Sequence, residues 1–233
     1  MIPSRRMFDD VPYRLGASAV RAALRVPPLA RRAEVLARVW LRHARTVALL
    51  RRYRFDAVID GGANVGEFAH LARFALPDAE LLCVEPNPGC AARLRGDGFR
   101  VVEAALWHAE GTLTLRQPAR ESTSSTVFSA AEDHGAWRVP STRLDALELR
   151  GERVFVKLDL QGAESAALDG MDGLWGRCAG VLLEVSIGAD GTYEPLRARL
   201  AARGFSERST LNELVFDGRV AEADKVWIRD DLW

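Results

Sequence analysis

Apolar residues along the chain gather into short runs of strand length, separated by turn residues and by stretches of helical spacing. Val58 and Ile59 open such a run, Leu81 to Val84 form a second, Phe99 to Glu103 a third, Val154 to Leu158 a fourth and Ala179 to Val185 a fifth. Between them an apolar helical pattern starts near Val65 and should end near Pro77, another helix should start near Pro88, and a third spans Tyr193 to Arg203 before Gly204 stops it. Residues 111–117, GTLTLRQ, alternate like an exposed strand and precede a polar run from Glu121 to Thr126, which predicts a hairpin and loop. Near the end, Phe205 to Ser209 and Glu213 to Phe216 read as a closing antiparallel pair, and the tail VWIRDDLW is apolar enough to dock. Strands alternating with helices predict an α/β sheet.

The segment VIDGGANVGEF, residues 58–68, has the form of a buried strand breaking into a glycine turn and then a helix, as at a ligand site on the carboxyl end of a parallel strand. Asp60 narrows the ligand. A pyrophosphate would be repelled by a carboxylate directly before the glycines, a GxGxxG beginning at Gly61 would need glycine where Ala63 stands, and no GK[ST] follows. Nicotinamide and P-loop chemistry are thereby disfavoured. A ligand with a cationic end suits Asp60, and S-adenosylmethionine carries an ammonium and a sulfonium; the plainer alternative is a tight turn with no ligand.

Charge changes the picture of the first quarter of the chain. Formal net charge is zero over 233 residues, yet residues 1–55 hold thirteen arginines against Asp9, Asp10 and Glu34. Pro3, Pro12, Pro27 and Pro28 break up the start, whereas Val35, Leu36, Val39, Trp40, Val47 and Leu50 lie at helical spacing. An arginine-rich helical arm over residues 1–54 should therefore precede a domain over 55–233. Its readings are a solvated helix face, a cap attracting an anionic substrate, or contact with anionic lipid or nucleic acid. Nucleic acid is disfavoured because no recognised motif accompanies the charge and the remaining chain is acidic. No apolar run approaches the roughly 18 residues of a membrane span, and the start lacks a signal-peptide core. Cys83, Cys90 and Cys178 have no metal-ligand spacing, so reduced thiols in a cytoplasmic protein are expected.

Further candidates follow in order. Glu85 closes the second strand about 20 residues past the glycine turn, placed to accept from ribose hydroxyls, with Pro86 and Asn87 at the edge of an adenine pocket; the alternative for Glu85 is a helix cap. Glu103 could accept from an adenine amino group, and the small Ala104 and Ala105 would let the ring lie close. His134, in the polar loop, could act as a general base, and Trp137 could stack on a ring, or both could serve packing. Period two puts Lys157 and Asp159 on one side of the fourth strand, with Glu164 in the next helical turn. Asp159 could orient a hydroxyl or take its proton, with Lys157 lowering the pKa of that hydroxyl or positioning Asp159. Alternatives are a structural ion pair, or a divalent metal on Asp159, Glu164 and Glu184.

Taken together, VIDGGANVGEF, VEPNP, the Ala-Ala-Leu after the third strand, the Ser/Thr loop, STRLDAL and KLDLQGAES resemble the FkbM family of S-adenosylmethionine-dependent methyltransferases, in order over residues 56 to about 216. The resemblance implies a class I, Rossmann-like sheet of seven strands, mostly parallel with one antiparallel, and methylation of a hydroxyl on a small molecule such as a sugar or natural-product scaffold. It carries over Asp60, Gly61, Gly62, Asn64 and Gly66 as the methionine-side loop, Glu85 as ribose acceptor and residues 159–164 as the reaction-side block. Leu160-Gln161 departs from the valine and glutamate common there. The expectation is an S-adenosylmethionine-dependent O-methyltransferase without a metal. The rivals are an N-methyltransferase and an inactive cofactor-binding protein.

Overall fold

The computed structural model describes residues 44–116, 136–189 and 191–232. The expectations for residues 1–43, for the polar run 121–126 and for His134 lie outside the described residues.

Seven strands form the main sheet: β1 (Ala57–Gly61), β2 (Glu80–Val84), β3 (Arg100–Val102), β7 (Val154–Leu158), β8 (Cys178–Ser186), β9 (Phe205–Phe216) and β10 (Arg219–Arg229). Their order is β3-β2-β1-β7-β8-β10-β9, a sheet of the seven strands expected. Pairs from β3 to β8 are parallel, and β10 runs antiparallel to both β8 and β9. The chain first builds outward from β1 to β3 and then returns to the other side of β1. This reversal opens a crevice at the carboxyl ends of β1 and β7.

Both faces of the sheet are covered. On one, Ile59, Leu82, Val156, Leu158, Leu183 and Trp227 share a core cluster; on the other, Cys83 packs with Ala69, Leu94 and Phe99. α1 (Glu67–Ala75) buries Ala69, Ala72 and Ala75, small residues that bring the helix close to the sheet. α2 (Pro88–Gly96) starts where it does because Asn87 accepts from the N–H groups of Gly89 and Cys90, at 2.9 and 3.3 Å, and Pro88 supplies the first helical φ. α3 (Glu164–Asp169) and α4 (Tyr193–Ala201) follow β7 and β8. Among the described residues no helix is long and apolar enough to cross a membrane.

The end of the chain departs from its expected pairing. Residues 205–216 do not fold back on themselves: they form one 12-residue strand, β9, whose partner is β10. The turn sits at Asp217 and Gly218, which both have left-handed φ, 49° and 71°, the backbone that a tight hairpin requires. The apolar tail read as a docking segment is the inner part of β10, with Val226, Trp227 and Ile228 buried.

A second sheet carries the expected hairpin. β5 (Gly111–Arg116) pairs antiparallel with β6 (Ala136–Thr142), and the short β4 (Ala105–Leu106) lies parallel to β6. Behind β6, the STRLDAL segment acts as a clamp. Arg143 binds Asp145 through two hydrogen bonds, of 2.8 and 2.6 Å, and donates to the carbonyl of His108. Asp145 accepts from the Gly173 N–H, and its own N–H donates to Gly170. Arg143 and Asp145 thus tie this segment to His108 on one side and to residues 170–173 on the other.

The Arg143 hydrogen bonds hold the Asp145 carboxyl down at about 2. An acid with a depressed folded pKa contributes stability above its unfolded value, near 3.9, and loses it as pH falls through the folded value. Asp145→Asn is therefore expected to lower the melting temperature at pH 7 by about 3 to 8 °C, with the gap to wild type closing between about pH 4 and pH 2 in calorimetric scans.

Candidate active site at the carboxyl ends of the first and seventh strands

The register of the parallel pair β1 and β7 sets Asp60 directly beside Lys157. Both lie in the sheet interior, Asp60 fully buried and Lys157 only 7% exposed. The Lys157 ammonium sits 3.2 Å from Asp60 Oδ1, donates to the carbonyls of Gly61 (3.2 Å) and Gly62 (2.9 Å), and lies 3.7 Å from Asp159 Oδ2. Burial pushes the Asp60 carboxyl up, and Lys157 opposes that shift. For Lys157 burial acts downward, but Asp60 and Asp159 together outweigh it and raise its pKa. The ammonium thus neutralises Asp60 and holds two consecutive carbonyls of the glycine turn.

The geometry sets two expected site residues back from the cavity. Asp60 does not line the cavity described below, and its Oδ1 lies beside Lys157. Lys157 has three oxygens within 3.2 Å, donates to the carbonyls of Gly61 and Gly62, and likewise does not line the cavity. What remains of its expected role is positioning, through Asp159.

Gly62 is the position where glycine is required. Its φ is +67°, and a Cβ there would lie 2.0 Å from the carbonyl oxygen of Asp159. The β1 and β7 loops therefore touch backbone to backbone, which brings Asp159 against the glycine turn. Gly61 is packed behind it, with Leu106 and Leu158 side chains within 2.8 Å of a built Cβ. Gly66, assigned to the ligand loop, instead begins α1 with φ 92° and packs beside Leu94.

A cavity opens above this contact. Its lining includes Gly62, Asn64, Glu85 and Pro86, the apolar Ala104, Ala105, Leu106 and Leu115, and Asp159, Leu160, Gln161 and Ala163 from the segment after β7. Glu85 is held firmly: Oε2 accepts from the Asn64 N–H at 2.7 Å and Oε1 from the Asn87 N–H at 2.8 Å. Burial raises its pKa, while those two N–H groups pull it down. Each oxygen keeps a lone pair beyond its backbone donor, so a diol could be bound by both. Asn87, expected at the pocket edge, caps α2 with its side chain and fixes Glu85 with its backbone; Glu85 itself caps nothing. Glu103, expected at the adenine amino group, pairs outside the cavity with Arg95 at 2.8 Å.

On the opposite side the partners also differ from expectation. Glu164 is buried, and its Oε1 accepts from the N–H groups of Leu160 (2.7 Å) and Gly162 (3.3 Å), so it shapes the turn after β7 instead of facing the site. Glu184, at the end of β8, stands in its place. The Gln161 amide donates to Asp159 Oδ1 at 3.0 Å and to Glu184 Oε2 at 2.9 Å, bridging the two carboxyls. The Glu184 carboxyl is pushed up to about 8 by burial first, then by Asp159, Glu222 and Asp224. The sequence signal for Glu184 was its place at the carboxyl end of a buried strand; nothing local marked Gln161 as the bridge. Among the described residues no cluster of three or more Asp, Glu, His or Cys side chains is arranged to hold a metal ion.

A nucleoside with a cationic tail fits these residues: a rigid carboxylate for the ribose, small side chains for the base, a tight glycine turn beside them and a polar group at the far end. The methyltransferase FkbM domain model matches residues 60–207. Similar solved structures include a putative RNA methyltransferase from Pyrococcus horikoshii, 11% identical over 80% of this chain and 83% of that one, with a TM-score of 0.48. Magnesium protoporphyrin IX methyltransferase from Synechocystis with bound S-adenosylmethionine is 12% identical over 82% and 81%, TM-score 0.46. Precorrin-6y C5,15-methyltransferase from Geobacter metallireducens is 17% identical over 80% and 84%, TM-score 0.44. No curated protein sequence matches the chain.

The Asp60–Lys157 pair generates a stability prediction. Lys157→Met strands a buried carboxylate and is expected to cost about 3 to 5 kcal/mol in urea unfolding, while adding Asp60→Asn recovers part of that loss. A double variant no more stable than Lys157→Met would show that the two groups are not coupled.

Proposed function

The chain belongs to the FkbM family of S-adenosylmethionine-dependent methyltransferases, and on that premise we propose that it methylates a hydroxyl oxygen of a small molecule such as a sugar. The observation that carries the oxygen assignment is Asp159 at the mouth of the crevice, beside the glycine turn and backed by Lys157 and Gln161. A neutral hydroxyl is a weak nucleophile until its proton is taken, and a held carboxylate at that point is suited to take it.

Bound S-adenosylmethionine supplies an electrophilic methyl group on its sulfonium. The rest falls to the chain. Glu85 would hold the ribose hydroxyls, Ala104 and Ala105 would leave room for the adenine, and Gly62 would let the backbone approach closely. Asp159 would orient the acceptor hydroxyl and receive its proton as that oxygen takes the methyl group. Holding both reactants in line about 3 Å apart accounts for much of the rate.

Calorimetry with S-adenosylhomocysteine and with NAD is expected to show binding of the first alone. Glu85→Ala should weaken that binding about 10- to 100-fold, the loss of hydrogen bonds to a charged group. Asp159→Asn should leave it within a few-fold while lowering kcat about 10²- to 10⁴-fold on an accepted hydroxyl substrate. Turnover within a few-fold of wild type would remove Asp159 from the proton-transfer role, and a product carrying the new methyl on nitrogen would overturn the oxygen assignment.

A further inference from the structure

We propose that the tip of the β9–β10 hairpin is the far end of the acceptor site, where Leu214 and Phe216 hold an apolar portion of an acceptor whose hydroxylated portion lies at Asp159. The substrate class is then an amphiphile: a polyol such as a sugar, carrying an alkyl or aryl group. This rests on the methyltransferase reading above and deepens it.

Register places the tip at the end of the sheet where the cavity opens. Ser186, the last residue of β8, is opposite Glu222, and the next N–H, that of Ile187, donates to Ala221 at 2.8 Å. Because β10 runs antiparallel to β8, its earlier residues and their β9 partners lie past the carboxyl end of β8, on the same side as the carboxyl ends of β1 and β7. From Val215 to Val220 the hairpin continues with no β8 residue in the ladder beside it. Its apolar side chains stay in water, Leu214 and Val215 57% exposed and Phe216 78%. Among the described residues, three of the five large apolar side chains left exposed are consecutive at this tip, and such a run marks a contact where single exposed residues do not.

Alternation decides which face they occupy. Val215 is opposite Val220, which packs on the main core cluster, so Leu214 and Phe216 point to the other face. A register shift between Val220 and Glu222 sets Leu214 opposite Glu222 on that face. Two residues further along β10, Asp224 is opposite both Asn212 and Glu184, and the Gln161 amide ties Glu184 to Asp159. One face therefore runs from the cavity across the ends of β7, β8 and β10 to the apolar pair, polar first and apolar last. Three strand spacings separate β7 from β9, roughly 14 Å, the span of a sugar bearing a short chain or ring. That order of chemistry selects the occupant. A lipid surface resting on the tip would press against Glu184, Glu222 and Asp224, whereas a polyol can donate its hydroxyls to carboxyl oxygens along this stretch.

The test uses the full-length protein saturated with S-adenosylhomocysteine, titrated in a calorimeter with methyl β-glucoside and octyl β-glucoside below micelle formation. The octyl probe is expected to bind about 10- to 100-fold more tightly than the methyl probe, the effect of taking a few methylenes out of water. Combining Leu214→Ser with Phe216→Ser should remove most of that preference and leave S-adenosylhomocysteine affinity unchanged; both side chains are exposed, so the core is not disturbed. Phe74→Ser, which alters an exposed ring on α1, should leave the preference intact. Equal affinity for the two probes, a preference retained in the double variant, or one lost in Phe74→Ser as well would overturn the proposal. So would a wild-type dimer in sedimentation that the double variant dissociates, or flotation with phosphatidylglycerol vesicles that it abolishes, because these results assign the tip to a second copy or to lipid. Failure of the wild type to bind S-adenosylhomocysteine would refute the underlying methyltransferase reading, whereas retained binding without an octyl preference would refute the apolar end of the acceptor site alone.

Discussion

Lys157 reaches from the seventh strand to a carboxylate buried on the first, and the geometry of the site depends on that contact. Neither charge could remain in the sheet alone, because an unpaired ion in this setting costs several kcal/mol. Together they are tolerated, and the ammonium donates to the carbonyls of Gly61 and Gly62. The glycine turn is thereby tied to β7 by side chain as well as by the ladder. A backbone slip of one residue would send Lys157 to the opposite face and leave Asp60 alone, so the pair also fixes register.

From that tie the cavity follows. The turn presses against the backbone of Asp159, and only a residue without a Cβ permits the approach at Gly62. The backbone N–H groups of Asn64 and Asn87 clamp Glu85 in one orientation, so this carboxylate is rigid before any ligand arrives. The small second sheet adds Ala105, Leu106 and Leu115 as an apolar wall. The ends of the cavity therefore differ in kind: a fixed carboxylate between backbone donors at one, and a group of mutually interacting carboxyls at the other.

That second end shows how one fold can hold acids in different states within a short distance. Asp145 is held well below its usual range by a bidentate arginine, whereas Glu184 is pushed up by burial and by other acids. Asp60 is raised by burial against the pull of Lys157. Burial and partner identity, more than residue type, set how readily each carboxyl takes a proton.

The order of apolar runs and turn residues was enough to read the alternating α/β chain, the glycine turn after β1, the carboxylate after β2 and the acid after β7, because each is a local pattern tied to one strand end. The closing pair was misplaced although Asp217-Gly218 marks a hairpin turn, since the apolar residues on either side of 210–212 also suit a shorter pairing. Partners were beyond reach of a linear reading. Asp60 and Lys157 are separated by nearly a hundred positions, and only parallel register makes them neighbours. Gln161 and Glu184 are likewise brought together by the alignment of β7 and β8, whereas Glu103, drawn off by Arg95, and Glu164, turned inward by the N–H groups of Leu160 and Gly162, found partners close by in the chain that no pattern of residue types marked. Residue types at strand ends are set by the sequence; which of them face a ligand and which hold one another is set by how the strands align, because a charged side chain takes whatever partner the register brings within about 3 Å.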